Sequence, residues 1–320
     1  MIVAGNPPFS AASAEDGLRA RLADCDAALD AFTPTLLGLL GGGDNSTLNE
    51  EILARVRGMI SDVAEQLLLS QAEAALISDI ASYVEDYRSG LAERLASNGN
   101  LLRHFHSMAV EGNLCEKMQL SRSLDPVLPP LLQELISSHE ERISALAMAV
   151  LSSQARFVDA YRKMKFPLRE LPGAMEDLAL GEFRANAEET DREGVNQTIE
   201  VLRDRRDDST GRISLLTQLV LQLGKLDDAV LSIDRAGISL FSSALAVTTH
   251  QPREIVVLST SEGQLPRLAV LLGAAGLASP AIAQQLFALH PNAPLLDGFE
   301  QLTTDAALAA LADSSLDRTG

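Results

Sequence analysis

The stretch from residue 227 to residue 291 constrains the fold of this chain more than any other segment. Its apolar residues form short helix-like runs, which we predict at residues 227–236, 238–249, 252–259, 264–275 and 280–290. The breaks between these runs contain glycine or proline and are only a few residues long. Because so short a connection cannot carry the chain far, we expect consecutive helices to pack as antiparallel neighbours.

Residues 254–259 leave one alternative open within this stretch. Ile255, Val256 and Val257 are β-branched, and such residues favour a strand. Pro252 instead suits the first turn of a helix, and no second strand-like segment of similar quality is present to pair with this one. A helix is our interpretation, and a strand followed by a loop and a helix is the alternative.

The composition extends the helical prediction to the whole chain. Hydrophobic residues make up 46% of the sequence, but aromatic residues only 4%, and tryptophan is absent. The apolar content is therefore mostly Leu, Ala, Val and Ile, of which Ala and Leu are strong helix formers. We predict an all-α fold, in which an N-terminal helical bundle is followed by a HEAT-like or irregular array of antiparallel helix pairs.

The length of 320 residues exceeds what a single hydrophobic core serves, so we divide the chain into parts. Residues 1–98 are predicted to form the N-terminal bundle, which could self-associate through its heptad-like helices. Residues 99–312 are predicted to form the helical array, and residues 313–320 a frayed tail. The most polar run of the chain, residues 204–211, is a second candidate boundary.

Local patterns predict where individual helices lie. Residues 13–32 carry an apolar stripe on one helix face. Their opposite face holds three aspartates, Asp26 among them, which we interpret as solvated. A capping box from Ser70 to Glu73 predicts the start of the third helix, and residues 100–122 form a further helical segment.

The net charge of −18 limits the partners that such a chain can bind. Nucleic-acid backbones and anionic membrane surfaces attract basic proteins, so we expect neither nucleic acid nor membrane as a partner. No apolar segment approaches the ~20 residues that span a bilayer, and the N-terminus lacks the basic region of a signal peptide. Cys25 and Cys115 are predicted to be buried thiols in a reducing compartment. We therefore expect a cytoplasmic protein.

Motifs for catalysis or metal binding are absent from the sequence. There is no P-loop, no GxGxxG after a strand, no GxSxG, no HExxH, no paired CxxC and no EF-hand loop. We therefore predict no catalytic residue, no metal and no cofactor. A protein without enzymatic activity is favoured, although missing motifs do not exclude an enzyme.

His104 and His106 form the most distinctive local cluster. Residues two apart on a helix point in nearly opposite directions, so these imidazoles cannot bind one metal ion. We expect one of them to be half-buried and the other to lie at the surface. An exposed histidine on a helical bundle could accept a phosphoryl group, which makes both residues candidates for phosphotransfer. The Lys-Gly pair that usually follows such a histidine is missing.

A concentrated patch of basic residues stands out in this acidic chain, formed by Arg156, Arg162, Lys163, Lys165 and Arg169. The patch could dock an acidic partner, a nucleotide or a phosphorylated protein. The alternative is that these cations complement the dipole and the exposed carbonyl groups of a helix C-terminus. We take the five residues as candidates for partner binding.

One part of the sequence resembles a known family. Residues 235–245 read Arg-Ala-Gly-Ile-Ser-Leu-Phe-Ser-Ser-Ala-Leu, and Arg253 and a Gly-Leu pair at residues 276–277 follow. This order of an apolar helix with Phe-x-x-Ala-Leu, a short loop, a helix, Ala-Gly-Leu and another helix resembles a bacterial family catalogued as domain of unknown function number 2336. The resemblance covers residues 210–290. It implies a helical-repeat-like fold and no assigned activity, and it carries over no catalytic residue.

The leading hypothesis is a non-catalytic cytoplasmic protein that binds or scaffolds other proteins, either alone or as a homo-oligomer. The large helical surface, the missing motifs and the basic patch support it. The first alternative is a signalling module that uses His104 or His106 for phosphotransfer. The second is a small-ligand-binding protein or an enzyme with a pocket between helices.

Overall fold

The structure is a computed structural model, and it describes residues 11–40, 50–188, 191–224, 229–293 and 302–314. Within these ranges the chain forms fourteen α-helices, two short 3₁₀-helices and no strand. The predicted all-α fold class is confirmed.

The helices are, in chain order, α1 (Ala11–Leu40), α2 (Glu50–Ala74), α3 (Ile80–Ser97), α4 (Gly99–Arg122), α5 (Pro130–Ile136), α6 (Glu141–Arg162) and α7 (Gly173–Asn186). They continue with α8 (Arg192–Arg205), α9 (Arg212–Gln222), α10 (Ile233–Thr249), α11 (Arg253–Ser259), α12 (Leu265–Ala274), α13 (Ser279–Leu289) and α14 (Thr304–Ala312). The 3₁₀-helices are Leu168–Glu170 and Glu262–Gln264. Residues 254–259 lie within α11, which confirms the helical interpretation of that segment.

Two compact units account for the described residues. One contains residues from Met1–Phe32 and Leu245–Gly320, and the other contains residues from Thr33–Ala244. The predicted boundary after residue 98 falls inside the second unit, where α2 and α3 both pack against α4. The first helix therefore begins in one unit and ends in the other.

The interior of the first unit contains an ion pair between Asp26 and Arg267. The side chain of Arg267 has no exposed surface and that of Asp26 is only 3% exposed. Asp26 accepts hydrogen bonds from Arg267 and from the Ser314 hydroxyl, and Gln251 accepts a further bond from Arg267 at 3.0 Å. The prediction that Asp26 is solvated is therefore wrong. A buried arginine needs a charge partner, and this one lies 241 residues away.

Near the two ends of the described chain, the predicted burial of the first helix is confirmed, but the predicted frayed tail is not. Leu22, Cys25 and Leu29 are buried, as the stripe on residues 13–32 predicted. Ser314, the second residue of the predicted frayed tail at 313–320, is also buried, and residues 315–320 lie outside the described part. Cys115, like Cys25, is a buried free thiol.

The predicted helix start at Ser70 is wrong. Helix α2 runs past this position, and the Ser70 hydroxyl donates to the carbonyl oxygen of Gln66 at 2.8 Å. A serine can form this bond to the preceding helical turn as readily as it can cap a helix, so the local pattern was ambiguous. The third helix begins only at Ile80, where the Asp79 carboxylate accepts from the Ser82 amide at 3.1 Å.

Helix α4 lies at the centre of the second unit and matches the segment predicted at residues 100–122. Glu111 on α4 forms a bidentate ion pair with Arg212 on α9, at 2.7 and 3.0 Å. Arg212 also donates to Gln154 on α6 at 3.2 Å, and its guanidinium lies 3.8 Å from the centre of the Phe157 ring. Because Gln154 in turn donates to Ser239 on α10 at 2.8 Å, this network joins four helices.

Across the described ranges, no single helix has both the length and the hydropathy to cross a membrane. One bent pair, α11 with the segment Glu262–Ala274, satisfies the length and composition test jointly, with an angle of 107° between its parts. Most residues of this pair are buried within the protein.

Candidate functional site

A connection of ten residues, 163–172, leaves the end of α6 and is fixed to α2. The Phe166 amide donates to the Asp62 carboxylate at 2.9 Å. The amide nitrogen of the Gln66 side chain donates to the Phe166 carbonyl at 2.8 Å, and its oxygen accepts from the Leu168 amide at 2.9 Å. The backbone groups of Phe166 and Leu168 lie outside any α-helix, so these side-chain bonds satisfy them and fix the path of the connection.

Two glycines let α6 and this connection approach the neighbouring helices. A Cβ atom on Gly58 of α2 would lie 2.6 Å from the Met164 Cβ and 2.7 Å from the Met164 carbonyl oxygen. A Cβ atom on Gly112 of α4 would lie 2.3 Å from two ring carbons of Tyr161. Neither position has room for a larger residue unless the backbone of the connection or the Tyr161 ring moves.

The connection forms one wall of a cleft with a volume of about 990 Å³. The other walls come from the second half of α2, the start of α7, the end of α8 and the loop leading into α9. Its apolar lining includes Leu69, Leu168, Leu171, Leu202 and Ile213. Sites that bind small molecules have volumes of roughly 300–1,000 Å³, so the cleft has the size of a binding site.

Charged residues line the same cleft. The arginines are Arg156, Arg169, Arg205 and Arg206. The acidic residues are Glu73, Glu170, Glu176, Asp207 and Asp208. The charge that the cleft presents to a ligand therefore depends on which of these groups are already paired within the protein.

One internal pair connects the wall of the cleft with helix α9. The Arg156 Nε lies 3.4 Å from one carboxylate oxygen of Glu170. The other oxygen accepts from the backbone N–H of Arg212 at 3.0 Å, at the first residue of α9. A carboxylate is favoured at this place because the N-terminus of a helix carries partial positive charge. Both carboxylate oxygens of Glu170 thus have a partner within the protein.

A second set of pairs lies where α8 ends. Arg206 lies 3.2 Å from Asp177 and 3.5 Å from Asp208, and Arg203 lies 3.2 Å from Asp177. Burial alone would raise the pKa of Asp177, but the hydrogen bonds and charges of Arg206 and Arg203 outweigh burial and lower it. The hydrogen bond to Asp177 raises the pKa of Arg206. These groups are therefore occupied with one another.

Five charged groups of the cleft form no ion pair with a described residue: Arg169, Arg205, Glu73, Glu176 and Asp207. Within the described residues, Arg169 and Arg205 form no ion pair and their side chains make no hydrogen bond, although both are exposed in the cleft. The Glu176 side chain likewise makes no hydrogen bond there, yet this residue is only 5% exposed. Burial raises the pKa of Glu176. The cleft therefore offers two guanidinium groups, two exposed carboxylates and one buried carboxyl group that have no ion-pair partner among the described residues.

The predicted basic patch is divided by the structure. Arg156 and Arg169 lie together in the cleft. The other three pair with acidic side chains: Arg162 with Glu116 at 3.8 Å, Lys163 with Asp159 at 2.8 Å, and Lys165 with Asp62 at 3.6 Å. Of the five candidates, only Arg169 is both in the cleft and without an ion pair to a described residue.

The sequence analysis missed Arg205, Arg206 and Glu176. The first two belong to the polar run at residues 204–211, which we had interpreted as a boundary and which instead forms a wall of the cleft. A run this polar between two helices was the available signal. Glu176 carried no signal, because a glutamate in the first turn of a helix is ordinary.

The two candidate histidines lie inside the second unit. His104 has no exposed surface and His106 is 6% exposed, so the expectation that one of them lies at the surface is wrong. Helix α4 is covered on nearly all sides, and the His104 ring packs edge-on against Phe105 and Phe166, with ring centres 6.0 and 5.9 Å apart. Neither imidazole is accessible to a phosphoryl donor.

The burial of His106 predicts a loss of stability in mild acid. Burial lowers its pKa from 6.5 to about 4. Below pH 6.5 the unfolded chain therefore binds a proton that the folded chain does not, and stability falls as the pH drops from 6.5 to about 4. This residue should account for a loss of about 1 kcal/mol between pH 7 and pH 5.5.

Urea unfolding of the His106→Asn variant at both pH values checks this expectation. The variant should lose that share of the pH dependence, whereas His139→Asn, which replaces an exposed histidine, should keep it. Equal pH dependence in the His106→Asn variant and the unmodified protein would contradict the assignment.

The arrangement in the cleft is suited to binding charged groups. Across the described part of the chain, no group of three or more His, Cys, Asp or Glu side chains is placed to hold a metal ion. Two hydroxyls of the cleft already donate to backbone carbonyls, that of Ser70 to Gln66 and that of Thr210 to Asp207. The guanidinium and carboxyl groups without an ion-pair partner and the apolar walls are the groups of the cleft that a ligand could contact.

Comparison with known proteins adds no relative. No family model, no curated protein and no solved structure matches this chain. The resemblance of residues 210–290 to the helical family of unknown function therefore stays a prediction.

Proposed function

We propose that this chain is a non-catalytic cytoplasmic interaction protein, and that its cleft docks a segment of a partner protein that carries acidic side chains next to apolar ones. One observation carries the proposal. Arg169 and Arg205 line an apolar-walled cleft and form no ion pair with any described residue.

The chemistry of the two arginines supports a carboxylate-bearing ligand. A guanidinium group presents its N–H donors in a planar fork that fits both oxygens of a carboxylate. Leucine and isoleucine side chains on the walls offer apolar surface beside it. A nucleic acid would present the same kind of anion, but a chain with net charge −18 repels a polyanion at longer range.

The internal ion pairs support the proposal from another direction. Arg156 with Glu170, and Arg206 with Asp177, fix the walls on either side before any ligand arrives. A site formed in advance loses less conformational entropy on binding. This advantage applies to the walls of the cleft, since Arg169 and Arg205 themselves are exposed and form no hydrogen bond or ion pair with a described residue.

A display library of random nine-residue peptides, panned against the purified protein, tests the proposal. We expect enrichment of Asp or Glu beside Leu, Ile or Phe. The double variant Arg169→Ala with Arg205→Ala should bind the selected peptides about fivefold to tenfold more weakly by fluorescence polarisation, since pairs with exposed arginines contribute about 0.2–1 kcal/mol each.

A matched control uses two exposed arginines that do not line the cleft. Arg142→Ala with Arg192→Ala changes the net charge equally and should leave the affinity within about twofold, because screening weakens distant charges. Selection of no acidic peptide by the unmodified protein, or equal losses in the two double variants, would refute the proposal.

A small acidic molecule is the second candidate ligand, since the volume of the cleft also suits one. Native mass spectrometry of the protein as purified distinguishes the two. An added mass that the Arg169→Ala, Arg205→Ala variant loses would indicate a small ligand, whereas a bare chain that binds the selected peptides would favour protein docking.

A further inference from the structure

We propose that Glu176 selects a basic side chain, lysine or arginine, in the segment that the cleft binds. This inference rests on the proposed function and deepens it: the docked segment would carry acidic residues for Arg169 and Arg205 and one basic residue for Glu176.

The placement of Glu176 is unusual among the acidic residues of the cleft. It lies in the first turn of α7, is 5% exposed, and makes no side-chain hydrogen bond to a described residue. Glu170 and Asp208 line the same cleft, but both are paired with arginines. The carboxyl oxygens of Glu176 keep some access to solvent, so a donor on the ligand would replace water at a partly desolvated acceptor.

The charges around Glu176 indicate which kind of donor is needed. Arg206 and Arg203 attract a negative charge at this position, and Asp177 and Asp208 repel it. Both arginines are already occupied by Asp177. The charges of these two arginines thus reach Glu176 only at a distance, and no described residue forms an ion pair with it.

A basic side chain of the ligand would supply both a hydrogen-bond donor and a positive charge to Glu176. A lysine or arginine would donate hydrogen bonds and also neutralise the carboxylate, whereas an amide would provide only hydrogen bonds. Burial raises the pKa of Glu176, and the charge of Arg206 offsets this only in part.

The same peptide library, panned in parallel against the full-length protein and its Glu176→Gln variant, tests this inference. The unmodified protein should enrich one Lys or Arg position next to the acidic and apolar positions. Glu176→Gln should lose that preference and keep the acidic one. A synthetic peptide with this Lys replaced by Gln should bind the unmodified protein about tenfold more weakly, the effect of one hydrogen bond to a charged group.

Two controls distinguish the role of Glu176 from the docking of acidic segments, on which it rests. Glu73→Gln replaces an exposed acid of the cleft and should leave the basic preference intact. The Lys-to-Gln peptide needs no protein variant, so it decides the matter even if Glu176→Gln folds poorly by circular dichroism.

Three outcomes would overturn the inference while the docking of acidic segments stands. They are enrichment of Asn or Gln in place of Lys, no basic position at all, and an unchanged basic preference in Glu176→Gln. Selection of no peptide by the unmodified protein would overturn both proposals.

Discussion

Replacing Glu111 with glutamine is expected to lower the free energy of unfolding by about 3–5 kcal/mol, which is the cost of breaking a buried ion pair by removing one partner. The side chains of Arg212 and Glu111 are 4% and 0% exposed. Glutamine has nearly the same shape as glutamate, so little packing is lost. The guanidinium charge of Arg212, however, would remain buried without its counter-ion. Urea denaturation followed by circular dichroism measures the effect.

An exposed pair of the same geometry provides the control. Arg122 and Asp234 also form two bonds, both of 2.7 Å, but their side chains are 32% and 41% exposed. Asp234→Asn should cost less than about 1 kcal/mol, because water solvates the charge that remains. Similar losses in Glu111→Gln and Asp234→Asn would show that burial does not determine the cost.

The double variant Glu111→Leu with Arg212→Met completes the test. Replacing both charges with apolar groups of similar volume removes the uncompensated charge, so this variant should be more stable than Glu111→Gln. The strong non-additivity expected here distinguishes an ion pair from two independent packing contacts.

Gly112→Ala is expected to destabilise the protein by about 3 kcal/mol, at the upper end of the usual range for overpacking. The added Cβ atom would lie 2.3 Å from the Cδ2 and Cε2 atoms of Tyr161. The Tyr161 ring cannot move aside freely. The guanidinium group of Arg55 lies 4.3 Å from the ring centre, and Tyr161 is only 2% exposed. Thermal and urea unfolding would both record the loss.

Gly181→Ala is the matched control for this substitution. A Cβ atom at Gly181, inside helix α7, would meet nothing within 4 Å. Alanine is the better helix former, so this variant should gain about 0.5–1 kcal/mol. In addition, combining Gly112→Ala with Tyr161→Leu should cost less than the sum of the two single changes, because the smaller side chain relieves the clash. A neutral Gly112→Ala variant would contradict the close packing of α4 and α6.

Particular residues show how far the sequence could be interpreted without the structure. Helix α4 was predicted to within one residue at its start, and α11 was predicted as a helix because Pro252 suits a first turn. Ser70 was misjudged because capping and bonding to the preceding turn use the same hydroxyl. Asp26 was misjudged because periodicity cannot tell a solvated aspartate from one that meets a distant arginine.

The candidate site was predicted only in fragments. The basic patch contributed Arg156 and Arg169. They lie only 13 residues apart, on α6 and on the connection that follows it. Arg205 and Glu176 reach the same cleft from α8 and α7. Their meeting depends on how α8 packs against α2 and α7 and on the hydrogen bonds that fix the 163–172 connection to α2.

The sequence by itself determined that this protein is helical and where most of its helices lie, because helix formation depends on hydrogen bonds four residues apart and on which side chains share a face. Only the tertiary structure decided which charged groups are paired and which remain available. Glu111 meets Arg212 across 101 residues and Asp26 meets Arg267 across 241. Such pairings follow from the packing of whole helices, and no local pattern specifies them. That Arg169, Arg205 and Glu176 have no ion-pair partner among the described residues was decided by the same packing.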